Sequence, residues 1–322
     1  MITRFDFDIM AFGKYIDEVP FITTMTGLYD AGTLYEGYNP TQPNTFANCY
    51  DTKVYRHFLS TGKITEDPLE SIARSLHDHF IRKGILSLCD CYEKKHIVGV
   101  MGGSAMLRTD DSYKNVALMS KQLTENGTLM INGGGPGAME AASLGALMAG
   151  RDNGCIEDAI SILSEAPDYK NSKYLETAYK VLETFPHSDK YECLSIPTWL
   201  YGHEPTSPFA SKIGKLFENS IREDLLLSLS YGGLIYAPGS AGTMQEIFQE
   251  IVQNHYLTLG MSSPMVFLNK RYWTEEMPAF TLLKHLSDTG KFKNLILFIT
   301  DSPYEAVDFI TDFQKSNTEV GK

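Results

Sequence analysis

The stretch Tyr236-Ala-Pro-Gly-Ser-Ala-Gly-Thr-Met-Gln-Glu246 joins a short apolar run, residues 233–237, to a segment whose apolar residues recur at helical spacing. A strand, a glycine-containing turn and a helix N-terminus in this order favour a phosphate, because the first N–H groups of the helix and its dipole point at the ligand. Glycine lets the backbone approach that ligand closely. The stretch therefore predicts a phosphate-binding turn, made of Gly239, Ser240, Ala241, Gly242 and Thr243.

Two more glycine-rich turns occur, in Val98-Gly-Val-Met-Gly-Gly-Ser104 and in Asn132-Gly-Gly-Gly-Pro-Gly-Ala-Met-Glu140. A single PGxxGT sequence is compatible with a tight turn that a threonine caps. Three such turns in one chain favour a nucleotide-type ligand.

From His96 onward, apolar strands alternate with amphipathic helices. The pattern predicts strands near 96–101, 127–132, 193–198, 233–237, 264–268 and 295–299. It predicts helices near 112–126, 137–149, 208–229, 243–258, 277–289 and 303–315. This alternation indicates an α/β fold with a doubly wound, mostly parallel, Rossmann-like sheet. Ligands of such sheets bind beyond the carboxyl ends of the strands, where all three glycine turns lie.

The domain organisation that we predict is an N-terminal extension, residues 1–92, packed on a Rossmann-like nucleotide-binding catalytic domain, residues 93–322. In the extension, Asp67 followed by a proline predicts the start of a helix, whereas residues 29–50 have the composition of a loop. Residues 151–190 interrupt the strand–helix alternation with two short helices. This helical insertion caps the site, builds an oligomer contact or decorates the surface.

Composition narrows the classes of partner. The chain of 322 residues carries a net charge of −12, and its basic residues form no cluster beyond Lys94-Lys95, so we expect no nucleic-acid partner. The N-terminus lacks the pattern of a secretory signal, and no apolar run is long enough for a bilayer, so we expect no membrane association. Five cysteines fit reduced thiols in the cytoplasm. Cys89-Asp-Cys91 lacks further ligands at zinc spacing, so we expect no metal.

The sequences GGGPGAMEAASLGA, residues 133–146, and PGSAGTMQE, residues 238–246, resemble the LOG-type nucleoside 5′-monophosphate phosphoribohydrolases. The signatures of that family are GGGxxGxM and PGGxGTxxE. The resemblance implies that Glu246 is catalytic and that Arg222, on the preceding helix, is its partner. Two departures exist. Ser240 replaces the second glycine of the PGG signature. Arg222 lies about one residue further from the turn than the arginine of the family does. Glu223 therefore takes the position of that arginine unless residues 230–233 absorb the extra residue. The alternative for Arg222 is an exposed side chain paired with Glu218.

The resemblance also implies a set of nucleotide-binding residues: Gly103, Ser104, Gly133, Gly134, Gly135, Gly137, Met139, Glu140 and Glu204. For Met139 the alternative is a place in the hydrophobic core. Glu204 lies in a segment, residues 202–208, that resembles the EPxNP loop of the larger bacterial nucleotide 5′-monophosphate nucleosidases, where it would recognise the base. The alternative for Glu204 is an exposed acid in a proline-rich loop.

These features predict hydrolysis of the N-glycosidic bond of a nucleoside 5′-monophosphate, without a metal or an organic cofactor. The sequence does not determine which base the substrate carries. The resemblance further implies a homodimer or a higher homo-oligomer. The alternative function is a non-catalytic nucleotide or molybdenum-cofactor-type carrier or sensor on the same fold. A pyridoxal-phosphate decarboxylase is disfavoured because no lysine stands in a suitable context, and a dinucleotide dehydrogenase because GxGxxG is incomplete.

Overall fold

The computed structural model describes residues 8–152, 154–202 and 204–316. In these ranges the strands are Ile97–Met101 (β1), Leu129–Asn132 (β2), Cys193–Ser195 (β3), Lys212–Ile213 (β4), Leu234–Tyr236 (β5), Pro264–Leu268 (β6) and Ile296–Thr300 (β7). The α-helices are Ile9–Glu18 (α1), Ala31–Leu34 (α2), Tyr50–Ser60 (α3), Pro68–Cys89 (α4), Asp111–Glu125 (α5), Ala138–Leu147 (α6), Cys155–Leu163 (α7), Tyr174–Thr184 (α8), Asn219–Ser228 (α9), Ala241–Tyr256 (α10), Ala279–Asp288 (α11) and Pro303–Ser316 (α12). The signal-sequence expectation concerns an N-terminus of which residues 1–7 lie outside the described residues.

All strands belong to one parallel sheet with the order β4-β3-β2-β1-β5-β6-β7. The chain moves outward from β1 through β2 and β3 to β4, then crosses to the other side of β1 and continues with β5, β6 and β7. The predicted doubly wound α/β fold is therefore confirmed. Its topological switch point lies between β1 and β5, which is where open sheets of this kind bind ligands.

The central strands are continuous apolar runs because helices cover both of their faces. Every residue of β1, β2, β5 and β6 is buried. On one face, α5 and α6 approach closely at a small residue, since a Cβ at Gly145 would lie 2.2 Å from the carbonyl oxygen of Ala117. This packing fixes α6, the helix that follows β2 and its glycine-rich turn, against α5.

The N-terminal extension shares its hydrophobic core with the sheet. Ile81 and Ile85 of α4 belong to the same buried cluster as the strands. As predicted, Asp67 is the N-cap of α4, and its side chain accepts a hydrogen bond from the N–H of Leu69 at 2.9 Å. Residues 29–50 contain α2 and a 3-10 turn, Pro43–Asn48, within the segment for which a loop was predicted.

The predicted helix at 208–229 is wrong in its first half, because only Asn219–Ser228 is helical there. The segment before α9 is extended, and Ile213 exchanges two backbone hydrogen bonds with Tyr29, at 2.7 and 2.9 Å. Next to it, a Cβ at Gly214 would lie 2.6 Å from a methyl carbon of Ile85. Contacts with the N-terminal extension, distant in sequence, thus override the local helical pattern.

The helices and the His, Cys, Asp and Glu side chains of the described ranges bear on the membrane and metal expectations. None of the helices there is long and apolar enough to cross a membrane. Likewise, no group of three or more His, Cys, Asp or Glu side chains in those ranges is arranged to hold a metal ion. Cys89 is buried and Cys91 is exposed, so the two thiols of the Cys-Asp-Cys sequence lie in different environments.

Candidate active site

A cleft of about 520 Å³ opens beyond the carboxyl ends of β1, β2 and β5. Its walls come from the three glycine-rich turns, from the segment after β3 and from α9. The cleft thus lies at the switch point of the sheet. It brings together most of the residues that the sequence singled out: Gly103, Ser104, Gly133, Gly134, Gly135, Met139, Glu204, Arg222, Ser240, Ala241, Gly242, Thr243 and Glu246.

The turn between β5 and α10 presents backbone N–H groups to the cleft. The helix starts at Ala241, and its N-cap, Ser240, makes no side-chain capping hydrogen bond. The N–H of Met244 donates to the carbonyl of Ser240 at 2.9 Å, whereas the N–H groups of the first turn have no partner within the helix. Ser240, Ala241 and Gly242 are exposed. The turn therefore has the geometry of an anion site.

Gly239 does not line the cleft. Because it has no side chain, the turn after β1 and the turn after β5 can contact each other there. A Cβ at this position would lie 2.2 Å from Oγ1 of Thr243 and 2.8 Å from the nitrogen of Gly103. The N–H of Gly103 donates to the carbonyl of Pro238 at 2.9 Å, which ties the turn after β1 to the turn after β5. The hydroxyl of Tyr272 donates to the carbonyl of Gly239 at 2.7 Å. Gly239 is thus placed for packing within the turn between β5 and α10.

The side chain of Asn132 stabilises the turn after β2 through a hydrogen bond to its backbone. Its Oδ1 atom accepts the N–H of Gly134 at 2.8 Å, and Gly134 has a φ of +75°, which favours glycine. Gly137, at the start of α6, has a φ of +69°, and a Cβ there would lie 2.3 Å from the carbonyl oxygen of Gly103. Gly137 therefore packs against the turn after β1 and lies outside the cleft lining.

Arg222 lies buried in the cleft wall with its guanidinium held on several sides. Its Nε donates to the carbonyl of Ile196 at 3.0 Å, and its Nη1 donates to Oε1 of Glu223 at 2.5 Å. Its Nη2 lies over Gly133, where a Cβ would come within 2.3 Å of it. Arg222 is therefore not the exposed arginine paired with Glu218 that the sequence left open.

Glu223 lies in the same wall of the cleft as Arg222. From the sequence, Glu223 was expected only to take the position of the family's arginine if the one-residue offset was not absorbed. Both consecutive residues line the cleft, so the offset does not remove Arg222 from it. Glu223 is 7% exposed, and its Oε2 has no hydrogen-bond partner among the described residues. Its Oε1 accepts the hydrogen bond from Nη1 of Arg222 and a weaker one, at 3.4 Å, from the hydroxyl of Tyr201. Which faces of α9 meet the cleft depends on how that helix packs, so the local sequence carried no signal for this.

Glu246 lies one turn into α10 and is 8% exposed. Burial raises the pKa of its carboxyl to about 8, the charge of Arg222 opposes this rise, and the charge of Glu223 adds to it. A carboxyl group with such a pKa can give or take a proton near neutral pH. Buried groups of this kind concentrate at functional sites.

Glu204 lies next to the turn after β2, since a Cβ at Gly135 would lie 3.6 Å from its Oε2 atom. Burial raises the pKa of its carboxyl, while hydrogen bonding with Ser104 and Tyr169 and the charge of Arg222 oppose the rise. Tyr169 belongs to the helical insertion. The insertion therefore reaches the cleft through the residue that contacts Glu204.

The placement of Glu140 corrects the prediction that it lines the nucleotide pocket. Its carboxylate is fully buried and accepts two hydrogen bonds from Arg108, at 2.6 and 2.8 Å, and one from the hydroxyl of Tyr113 at 3.0 Å. Arg108 also donates to Thr177 of α8 at 2.8 Å. Glu140 therefore anchors the helical insertion to α6. The sequence placed Glu140 correctly near the glycine turn but carried no signal for this buried arginine.

Parts of the chain are similar to known proteins. Residues 95–156, which contain the turns after β1 and β2, match the model of the SLOG cluster4 family, which agrees with the LOG-like resemblance over that segment. The structure is similar to that of the molybdenum cofactor binding protein from Rippkaea orientalis, with 18% identity and a TM-score of 0.43, over 67% of this chain and 95% of that one. It is also similar to the Moco carrier protein from Chlamydomonas reinhardtii, with 18% identity and a TM-score of 0.41, over 68% and 98% of the two chains. No curated protein matches the chain.

Proposed function

We propose that this chain, with a SLOG-type segment at residues 95–156, hydrolyses the N-glycosidic bond of a nucleoside 5′-monophosphate to a free base and ribose 5-phosphate. The observation that carries the proposal is the meeting of Arg222, Glu223 and Glu246 in one cleft with the N-terminus of α10. A phosphate site and a buried acid–base group one helical turn apart suit a phosphorylated sugar whose reacting carbon lies a short distance from the phosphate.

The proposed reaction uses side chains alone. The phosphate binds the N–H groups at the start of α10, and Arg222 orients the ribose. The bond between C1′ and the base nitrogen breaks with its electron pair leaving on the base, and the carboxylate of Glu246 stabilises the positive charge that develops on the sugar. A water oxygen then bonds to C1′, Glu246 accepts one of its protons, and that proton passes to the base.

Release of free base tests the proposal. A panel of nucleoside 5′-monophosphates is incubated with the protein and with Glu246→Gln and Arg222→Ala, and the products are separated by chromatography. We expect either substitution to lower the rate by about 100-fold or more, as the loss of a positioned acid–base or charge-stabilising group does. Glu275→Gln, a matched change at an exposed carboxylate, retains the rate. Unchanged turnover in the Glu246 variant contradicts the assigned role.

A second candidate function is a nucleotide or molybdenum-cofactor-type carrier or sensor. The raised pKa of Glu246 favours it, because a carboxyl group that is mostly uncharged at neutral pH sits beside an anionic ligand without repelling it. In that case the same panel raises the melting temperature of the protein, but no base is released.

A further inference from the structure

The N-terminal extension contacts the residues that immediately precede the helix that carries Arg222. Asp78 of α4 is 1% exposed, and its carboxylate accepts the N–H of Phe217, at 3.0 and 3.2 Å to its two oxygens, and the N–H of Glu218 at 2.8 Å. These two N–H groups come immediately before α9. Asp78 thus acts as an acceptor at the N-terminal end of α9, supplied by another helix, where a negative charge also suits the helix dipole.

Asp78 is itself held in place by a buried polar chain. Nδ1 of His77 lies 2.8 Å from Oδ1 of Asp78, and Nε2 of His77 lies 3.0 Å from the hydroxyl of Tyr29. That hydroxyl lies 3.0 Å from the hydroxyl of Tyr50. Because a carboxylate only accepts, His77 donates through Nδ1 and accepts through Nε2 when it is neutral. The extension therefore fixes the carboxylate rigidly against the start of α9.

A second buried carboxylate of the extension, that of Asp51, contacts the segment that follows β3. Oδ1 of Asp51 accepts the indole N–H of Trp199 at 2.8 Å and the ammonium group of Lys215 at 2.7 Å. The same ammonium group donates to Oγ1 of Thr206 at 3.1 Å, and the hydroxyl of Tyr35 donates to the carbonyl of Thr206 at 2.6 Å. Trp199 and Thr206, which flank the cleft residues Tyr201 and Glu204 in the sequence, are thereby tied to the extension.

We propose that Asp51 and Asp78 are positioning residues for the proposed hydrolysis. Asp78 sets the start of α9 and with it Arg222 and Glu223, whereas Asp51 sets the loop that carries Glu204. Neither aspartate lines the cleft, so both act through the backbone and side chains that they hold. The inference rests on the proposed function, and it gives the N-terminal extension a part in the chemistry.

The first test compares Asp78→Asn with Glu70→Gln. Glu70 is a matched control because it is a fully buried carboxylate on the same helix, bound to Arg74 at 2.6 Å, to His57 at 3.0 Å and to Tyr15 at 2.7 Å, away from the cleft lining. We expect Asp78→Asn to lower kcat by about 10- to 100-fold through misplacement of the reacting groups, with a KM that changes by less than about threefold. Glu70→Gln leaves both constants of the folded protein unchanged.

The second test uses Asp51→Asn and the same nucleotide panel. Because Asp51 holds the loop on the side of Glu204, we expect this variant to raise KM and to change the ratio of kcat/KM between bases, by about tenfold. A role in folding alone lowers the amount of active protein and leaves this ratio as it was. If Asp78→Asn does not fold, this experiment still tests whether the N-terminal extension positions groups of the cleft.

Amide hydrogen exchange separates failure of this proposal from failure of the proposed function. In Asp78→Asn we expect faster exchange at residues 217–222, and in Glu70→Gln we expect wild-type exchange there. If wild-type protein turns over no nucleotide but shows this difference, the hydrolase assignment falls and the positioning of α9 by Asp78 stands. Wild-type kcat together with wild-type exchange in Asp78→Asn overturns the positioning role.

Discussion

Replacement of Glu246 by glutamine is expected to stabilise the protein while it lowers the rate of base release by about 100-fold or more. Burial raises the pKa of this carboxyl from its ordinary value of 4.5 to about 8. At a pH between these two pKa values, Glu246 is ionised in the unfolded chain and protonated in the folded protein. Folding must therefore take up a proton, and this requirement lowers the free energy of unfolding. Glutamine has nearly the same shape and no charge in either state, so it removes this cost.

The size of the effect follows from the pKa difference. Each unit is worth about 1.4 kcal/mol, so at pH 7 the folded wild-type protein carries a penalty of about 3 kcal/mol. Below about pH 4 the carboxyl is protonated in both states and the penalty vanishes. Above the folded pKa both states are ionised and the penalty levels off at about 5 kcal/mol. Stability associated with the protonated group is thus present at low pH and is lost as the pH rises through the folded pKa.

Urea unfolding of wild-type protein and Glu246→Gln, measured from acidic to alkaline pH, checks this expectation. The free energy of unfolding should be equal for both near pH 4 and should favour the variant by about 3 kcal/mol at pH 7. Glu275→Gln, at an exposed position, should show no such divergence. A variant that is less stable than wild type at pH 7, or a difference that does not depend on pH, refutes the argument.

Three further predictions concern neighbouring groups. Because the charge of Glu223 raises the pKa of Glu246, Glu223→Gln should move the inflection of kcat/KM near the pKa of Glu246 to lower pH, and an unmoved pH–rate profile contradicts this. Gly133→Ala places a methyl group 2.3 Å from Nη2 of Arg222 and should lower base release by about 10-fold or more, whereas circular dichroism should show the fold retained. Arg108→Met leaves a buried carboxylate unpaired and should cost about 3–5 kcal/mol in urea unfolding, and a loss under 1 kcal/mol, about the value of an exposed ion pair, argues against it.

The sequence predicted the fold and the order of the three glycine-rich turns well, because both depend on local patterns. Apolar runs of strand length alternate with amphipathic helices, and this periodicity alone indicates the parallel sheet. Glycine turns after β1, β2 and β5 mark the carboxyl edge of that sheet. The two-residue strand β4 and the extended segment before α9 were missed, because contacts with Tyr29 and Ile85 decide their conformation.

What the sequence by itself determined is therefore the order of the elements and the three turns at the sheet's carboxyl edge, since each is encoded in a few consecutive residues. Only the tertiary structure decided which charged side chains meet there. The packing of α9 brings both Arg222 and Glu223 to the cleft, and the partner that buries Glu140 comes from a loop 32 residues earlier. Burial then raises the pKa of Glu246. Burial and long-range pairing depend on the whole fold, so no local pattern could carry them.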